Sequence, residues 1–302
     1  MKVIEIFDRK LNQSLTYENN EIEAFRMQVD EILKYAHEQL LESEMSIIIG
    51  AGKMKDFFLT FFVNNYKEVI LTDIDIQTVN DELDKLSLSK EALKKITKIR
   101  IDYSGFEKNL FFNKFKERII TCHSFDKIDQ VINKRLEGLE NYKFLRAYYQ
   151  KADLVYISPI YTQIVYNQVL RECALLRERG YPEHMIKYIE NTMLDKMVNI
   201  IDTINKNIVN TLKSTGRLVA LSDIFQVDIG SDFHLKIKKG INSFEGMEEI
   251  YKEYQEKYGI GLGDYGLLNL GEKLTPCLSK WLIWPYDGKS SFIVKLIIYK
   301  KN

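Results

Sequence analysis

Apolar residues recur along this chain in two rhythms. Short runs rich in β-branched residues appear at Ser46-Ile47-Ile48-Ile49, Glu68-Val69-Ile70-Leu71-Thr72, Lys98-Ile99-Arg100-Ile101-Asp102, 152–158 and 216–222. Runs of that length and composition predict buried strands. Between them, apolar residues at helical spacing predict helices. Ile22, Phe25, Val29, Ile32, Leu33, Ala36 and Leu40 make one, with Asn20 as its N-cap and Glu23 completing a capping box. Further helices are expected over 56–63, for about ten residues after Asp75, and from Ser89. Residues 105–150 read as mostly helical, with Phe106, Phe111, Phe112 and Phe115 on one face. Such a face more often packs on a sheet than forms a ligand-binding box. A long helical region, 164–213, is broken at Gly180-Tyr181-Pro182. Residues 1–18 are ambiguous, a strand followed by a loop.

Strands that alternate with helices predict an α/β fold with a mostly parallel, Rossmann-like sheet and helices on both faces. The ending breaks the rhythm. Residues 280–284 and 292–299 read as strands joined across Asp287-Gly288, a hairpin signal, so an antiparallel β-hairpin closes the sheet. Before it, 223–279 is glycine-rich, with one helix expected near 244–258. The resulting division is an N-terminal helical segment (1–45), a Rossmann-like cofactor-binding domain (46–222 and 280–302), and an insertion (223–279). That insertion suits a substrate lid hinged at Gly259-Ile260-Gly261-Leu262-Gly263.

The first strand runs into Gly50-Ala51-Gly52-Lys53-Met54, and the second ends in Asp73-Ile74-Asp75. Strand, glycine turn, helix, strand and acid occur in the order of a nucleotide-cofactor site. Glycine lets a ligand approach the backbone. Asp73 lies 23 residues after Gly50, near the roughly 20 expected of a carboxylate that grips ribose hydroxyls. An ordinary crossover turn gives the same glycines.

Lys plus Arg and Asp plus Glu are 43 each, so the chain is formally neutral, which argues against a general nucleic-acid binder. Cys122, Cys173 and Cys277 are odd in number and far apart, which suits a reducing cytoplasm rather than a disulfide framework. No membrane association is expected: no apolar run reaches spanning length, and charge comes too early in Met1-Lys2-Val3-Ile4-Glu5 for a signal peptide. No His, Asp, Glu and Cys set has metal-ligand spacing.

Five βα units followed by a β-hairpin resemble the class I S-adenosylmethionine-dependent methyltransferases, over roughly 20–222 and 280–302. The resemblance implies a cofactor whose methionine end lies on Gly50, Ala51 and Gly52. It further implies a ribose held by Asp73, or by neighbouring Asp75, and an adenine near Asp102. Ser158-Pro159-Ile160-Tyr161 partly matches the acceptor loop of amino-methyltransferases, with Ile160 in place of a second proline. Ser158 and Pro159 are then positioned to accept hydrogen bonds from the acceptor, and Tyr161 either faces acceptor and cofactor or plugs the core.

Two departures stand out. Where the family usually has an acid, two residues before the first glycine, this chain has Ile48; where it often has a third glycine, this chain has Met54. The function implied is methylation of a small molecule at N or O. The alternatives are an NAD(P)-dependent oxidoreductase, which wants a small residue at Lys55, and a non-catalytic binding protein. His123, His234 and Asp223 are remote acid–base candidates near strand ends, and His37 carries little weight.

Overall fold

The computed structural model describes residues 20–164, 166–285 and 288–301. The ambiguous segment 1–18 and Asp287 of the hairpin signal lie outside them; Gly288 beside it takes φ +75°.

Seven strands form one mixed sheet. They are β1 (Met45–Ile49), β2 (Glu68–Asp73), β3 (Ile96–Arg100), β4 (Ala152–Ile157), β5 (Leu212–Asp228), β6 (Thr275–Pro285) and β7 (Ser290–Lys300). Their spatial order is β3-β2-β1-β4-β5-β7-β6. The first five pair in parallel, and β7 runs antiparallel between β5 and β6. The expected Rossmann-like sheet with its antiparallel closing pair is therefore present.

The period-2 alternation of the strands divides the interior into two cores. Ile47 and Ile49 face a core with Phe106, Phe111, Phe112 and Phe115, while Ile48 faces a second core with Phe25, Val29, Leu33, Phe57 and Phe62. Helices α1 (Asn20–Glu38), α2 (Leu59–Asn65) and α3 (Ile76–Lys85) serve the second core. On the other face lie α5 (Phe111–Ile119), α6 (Phe125–Leu136), α7 (Tyr166–Glu178) and α8 (Glu183–Thr211); the short α4 (Lys90–Lys94) precedes β3. The phenylalanine face thus packs as core: the Phe106 and Phe111 rings stack at 4.2 Å.

Several boundaries differ from expectation. Asn20, expected as the N-cap, is already helical in α1. The helix after the glycine turn begins at Leu59, so 53–58 intervene as loop. Strand β3 starts and ends two residues earlier than expected, leaving Asp102 in the following loop. Strand β5 continues to Asp228 because β7 pairs with it as far as Asp228 opposite Ser290. β6 likewise begins at Thr275. What remains between them is helical: α9 (Asp232–Gly240), α10 (Phe244–Tyr258) and α11 (Leu262–Gly271). Only α10 was legible in the sequence, because glycines at 240, 261, 263, 266 and 271 mask the other two. Gly263 is there for packing: a Cβ on it would stand 2.0 Å from the Asp223 carbonyl oxygen.

Candidate active site

In an open α/β sheet, ligands bind beyond the carboxyl ends of the strands, where neighbouring strands diverge in their connections. That point here lies between β1 and β4, and a cleft opens there. Gly50, Ala51, Gly52, Asp73, Asp102, Ser158 and Pro159 all line it, joined by Asp56, Ile74, Tyr103, Ser104, Gln168 and Trp284.

The glycine turn is tightly held. Gly50 and Ala51 donate to the Thr72 carbonyl at 3.1 and 2.9 Å, and Gly50 also donates to the Tyr103 hydroxyl at 2.9 Å. Gly50 has φ +76°, and a Cβ on it would meet Ile160 Cγ2 at 2.3 Å. Left-handed backbone and close packing both require glycine at this position. Met54, standing at the third-glycine position, also takes a positive φ, +53°. The chain therefore keeps the left-handed geometry without the residue that adopts it most easily. Arg26 on α1 pins the loop, donating from Nε to the Lys55 carbonyl at 2.8 Å.

Asp73 sits at the rim of this turn, nearly buried. Its Oδ2 accepts from Gly52 N–H and its Oδ1 from Asp75 N–H, each at 2.8 Å. Burial pushes its carboxyl above the usual carboxylate range, and those two N–H groups oppose the shift. Asp75 is committed elsewhere: fully buried, it caps α3 by accepting from Thr78 N–H at 3.3 Å and from Thr78 Oγ1 at 2.6 Å. It is not among the lining residues. Asp102 accepts from Ser104 N–H, Ser104 Oγ and Glu107 N–H, which presents Tyr103 and Ser104 to the cleft. Burial raises its pKa as well.

Tyr161 corrects the expectation that it faces the acceptor. Its side chain is fully buried, its hydroxyl donates to Asn205 Oδ1 at 2.7 Å, and Gly266 of α11 packs on its ring. It plugs the core. The histidines stand apart from the cleft too. His37 contacts the Tyr66 hydroxyl, His123 is exposed between α5 and α6, and His234 is buried on α9 and accepts from Gly230 N–H. Asp223 is buried beyond the cleft, accepting from Thr162 Oγ1 at 2.5 Å. None of residues 223–279 lines the cleft.

Sequence reasoning missed Asp56. It follows the glycine turn by a few residues and is 5% exposed. Tyr156 donates to its Oδ2 at 2.8 Å. Burial raises its pKa, opposed by Ser158, Tyr156 and the more distant Arg26. Ile48 explains its placement. That side chain is wholly buried in the second core, where a lone carboxylate would be costly. Its register partner on β4 is Tyr156. A carboxyl group thus enters the cleft from the loop rather than from β1, held by the tyrosine paired with Ile48. One signal was present in the sequence: a single acid just before the apolar run Phe57-Phe58-Leu59.

Among the described residues, no group of three His, Cys, Asp or Glu side chains is placed to hold a metal, and no helix is long and apolar enough to cross a membrane. No family model and no curated protein matches the sequence. Solved structures do resemble it. One is the N-methyltransferase NodS from Bradyrhizobium japonicum WM9, at 11% identity and TM-score 0.44 over 94% of this chain and 99% of that one. The glycopeptide N-methyltransferase MtfA, complexed with S-adenosylmethionine, gives 7% identity and TM-score 0.42 over 90% and 93%. A SAM-dependent methyltransferase from Aquifex aeolicus gives 10% and 0.37 over 93% and 100%. With TM-scores below 0.5, the functional reading rests on the site's own geometry.

Proposed function

We propose that this chain is a methyltransferase that uses S-adenosylmethionine to methylate a nitrogen or oxygen of a small molecule. The observation that carries the reading is the pairing, in one cleft at the β1/β4 divergence, of a left-handed glycine turn with two buried carboxyl groups, Asp73 and Asp56. The cofactor fits that set: a nucleoside bearing a ribose diol and a cationic amino-acid end. Asp73 takes the ribose hydroxyls, since each of its oxygens keeps a lone pair beyond its backbone bond. Ile74, Tyr103 and Ser104 flank the adenine, with Asp102 holding their loop. Gly50, Ala51 and Gly52 admit the methionine end, and Asp56 replaces the acid absent at Ile48 as partner for its ammonium group.

When bound, the cofactor supplies a methyl carbon activated by a positively charged sulfur. The chain itself supplies proximity and orientation. The Ser158 hydroxyl and Pro159 carbonyl accept hydrogen bonds from the acceptor's N–H or O–H and fix its direction. Formal neutrality suits a small acceptor rather than a nucleic acid. A dinucleotide is less well served. Its pyrophosphate needs a helix N-terminus directly at the turn, and here 53–58 intervene.

Calorimetry with S-adenosylmethionine, S-adenosylhomocysteine, NAD and NADP tests the reading. Binding of the two sulfur nucleosides alone is expected. Binding of the dinucleotides alone would replace methyl transfer with hydride transfer, and silence from all four would leave a binding protein with another ligand.

A further inference from the structure

Two of the polar side chains that line the cleft have atoms without a hydrogen-bond partner among the described residues. Gln168, on α7, is 4% exposed and lines the cleft. Neither its Nε2 nor its Oε1 has a hydrogen-bond partner among the described residues. The Ser158 hydroxyl is similarly buried; it lies against the Asp56 carboxyl without a well-aligned hydrogen bond. Buried polar atoms in native proteins are nearly always paired, and an unpaired one calls for an explanation. An amide with both ends unpaired, on the wall of a cleft, is explained by a ligand that pairs them.

The chemistry of that ligand follows from the carboxamide. Gln168 offers a donor and an acceptor side by side in one plane, and no charge. Its complement is a planar edge with a carbonyl beside an N–H. The same cleft is lined by Trp284 and by the apolar side chains Ile160 and Ile164, which suit a flat, largely apolar body. We propose that Gln168 and Ser158 form the acceptor subsite, and that the acceptor is a small, uncharged, planar molecule bearing a carboxamide or lactam edge. This rests on the methyl-transfer reading for calling the ligand an acceptor, while the subsite itself rests on the unpaired amide.

The test is binding, read by ligand-observed NMR on the full chain saturated with S-adenosylhomocysteine. Benzamide is the probe; N,N-dimethylbenzamide, which lacks the N–H, and benzoate, which is charged, are the controls. Benzamide should bind, with each control at least about tenfold weaker, because a buried site built for a hydrogen bond rejects the analogue that cannot make it. Gln168→Leu should abolish the preference for benzamide, leave S-adenosylhomocysteine affinity within about twofold, and raise the unfolding midpoint by removing an unpaired buried amide. Gln168→Met, of similar length, serves if Gln168→Leu disturbs α7. Equal binding of all three probes, or a preference that survives the substitution, overturns the subsite. If the parent chain ignores S-adenosylhomocysteine yet shows the Gln168-dependent preference, the subsite stands and the methyl-transfer reading falls.

Discussion

Asp223 tests how far burial governs the charges of this protein. It is 6% exposed, and burial pushes its carboxyl up to about 6 from 3.8, only partly opposed by the hydrogen bond from Thr162. Its Oδ1 has no partner among the described residues. A group whose folded pKa is raised binds its proton more tightly when folded. Between pH 3.8 and about 6 the folded chain therefore holds more protons at this site than the unfolded one, and stability falls as pH rises through that window. A shift of about two units is worth roughly 3 kcal/mol when complete.

Asp223→Asn removes the titration while keeping an oxygen to accept from Thr162. Relative to the parent, the variant should gain about 2 kcal/mol of stability between pH 4 and pH 7. Urea unfolding of both proteins at pH 4, 5, 6 and 7 measures the difference. Comparing the two cancels the contributions of Asp56, Asp73, Asp102 and Asp264, all raised in the same direction by burial. A difference that stays flat across the window would refute the account, because Asp223 would then be ionised in the folded state at no cost.

Asp73→Ala should weaken binding of S-adenosylhomocysteine at least about tenfold. It should also cost roughly 2 kcal/mol of stability, since Gly52 and Asp75 N–H lose their acceptor; a variant as stable as the parent would show the carboxylate to be free of the backbone. Asp75→Ala should instead cost about 1 kcal/mol of stability as a lost helix cap, with little change in calorimetric affinity. Gly50→Ala should lower the urea midpoint by the equivalent of at least about 2 kcal/mol, from positive-φ strain and the clash with Ile160, and should abolish nucleoside binding. The lid reading of 223–279 predicts that cleavage in the exposed turn at Gly259-Ile260-Gly261 slows when S-adenosylhomocysteine is added; equal rates would remove it.

The strands, most helices and the closing antiparallel pair were legible in the chain because period and composition are local properties. Ile47, Ile48 and Ile49 announce a strand wherever they occur. The glycine turn and Asp73 were legible for the same reason: both lie within one βαβ stretch. Tertiary structure decided which polar side chains share the cleft. Nothing local distinguishes Tyr161, which turns into the core toward Asn205, from Tyr103, which reaches the turn. Asp75 and Asp73 stand two residues apart in sequence; the start of α3 takes one and leaves the other at the rim. Asp56 and Gln168 enter the site through packing between segments far apart in the chain: β4 supplies the tyrosine that holds Asp56, and α7 brings Gln168 to the cleft. Sequence spacing encodes the direction of a side chain only within its own element. Whether a polar group ends in core, cap or cleft depends on neighbours that the fold alone brings together.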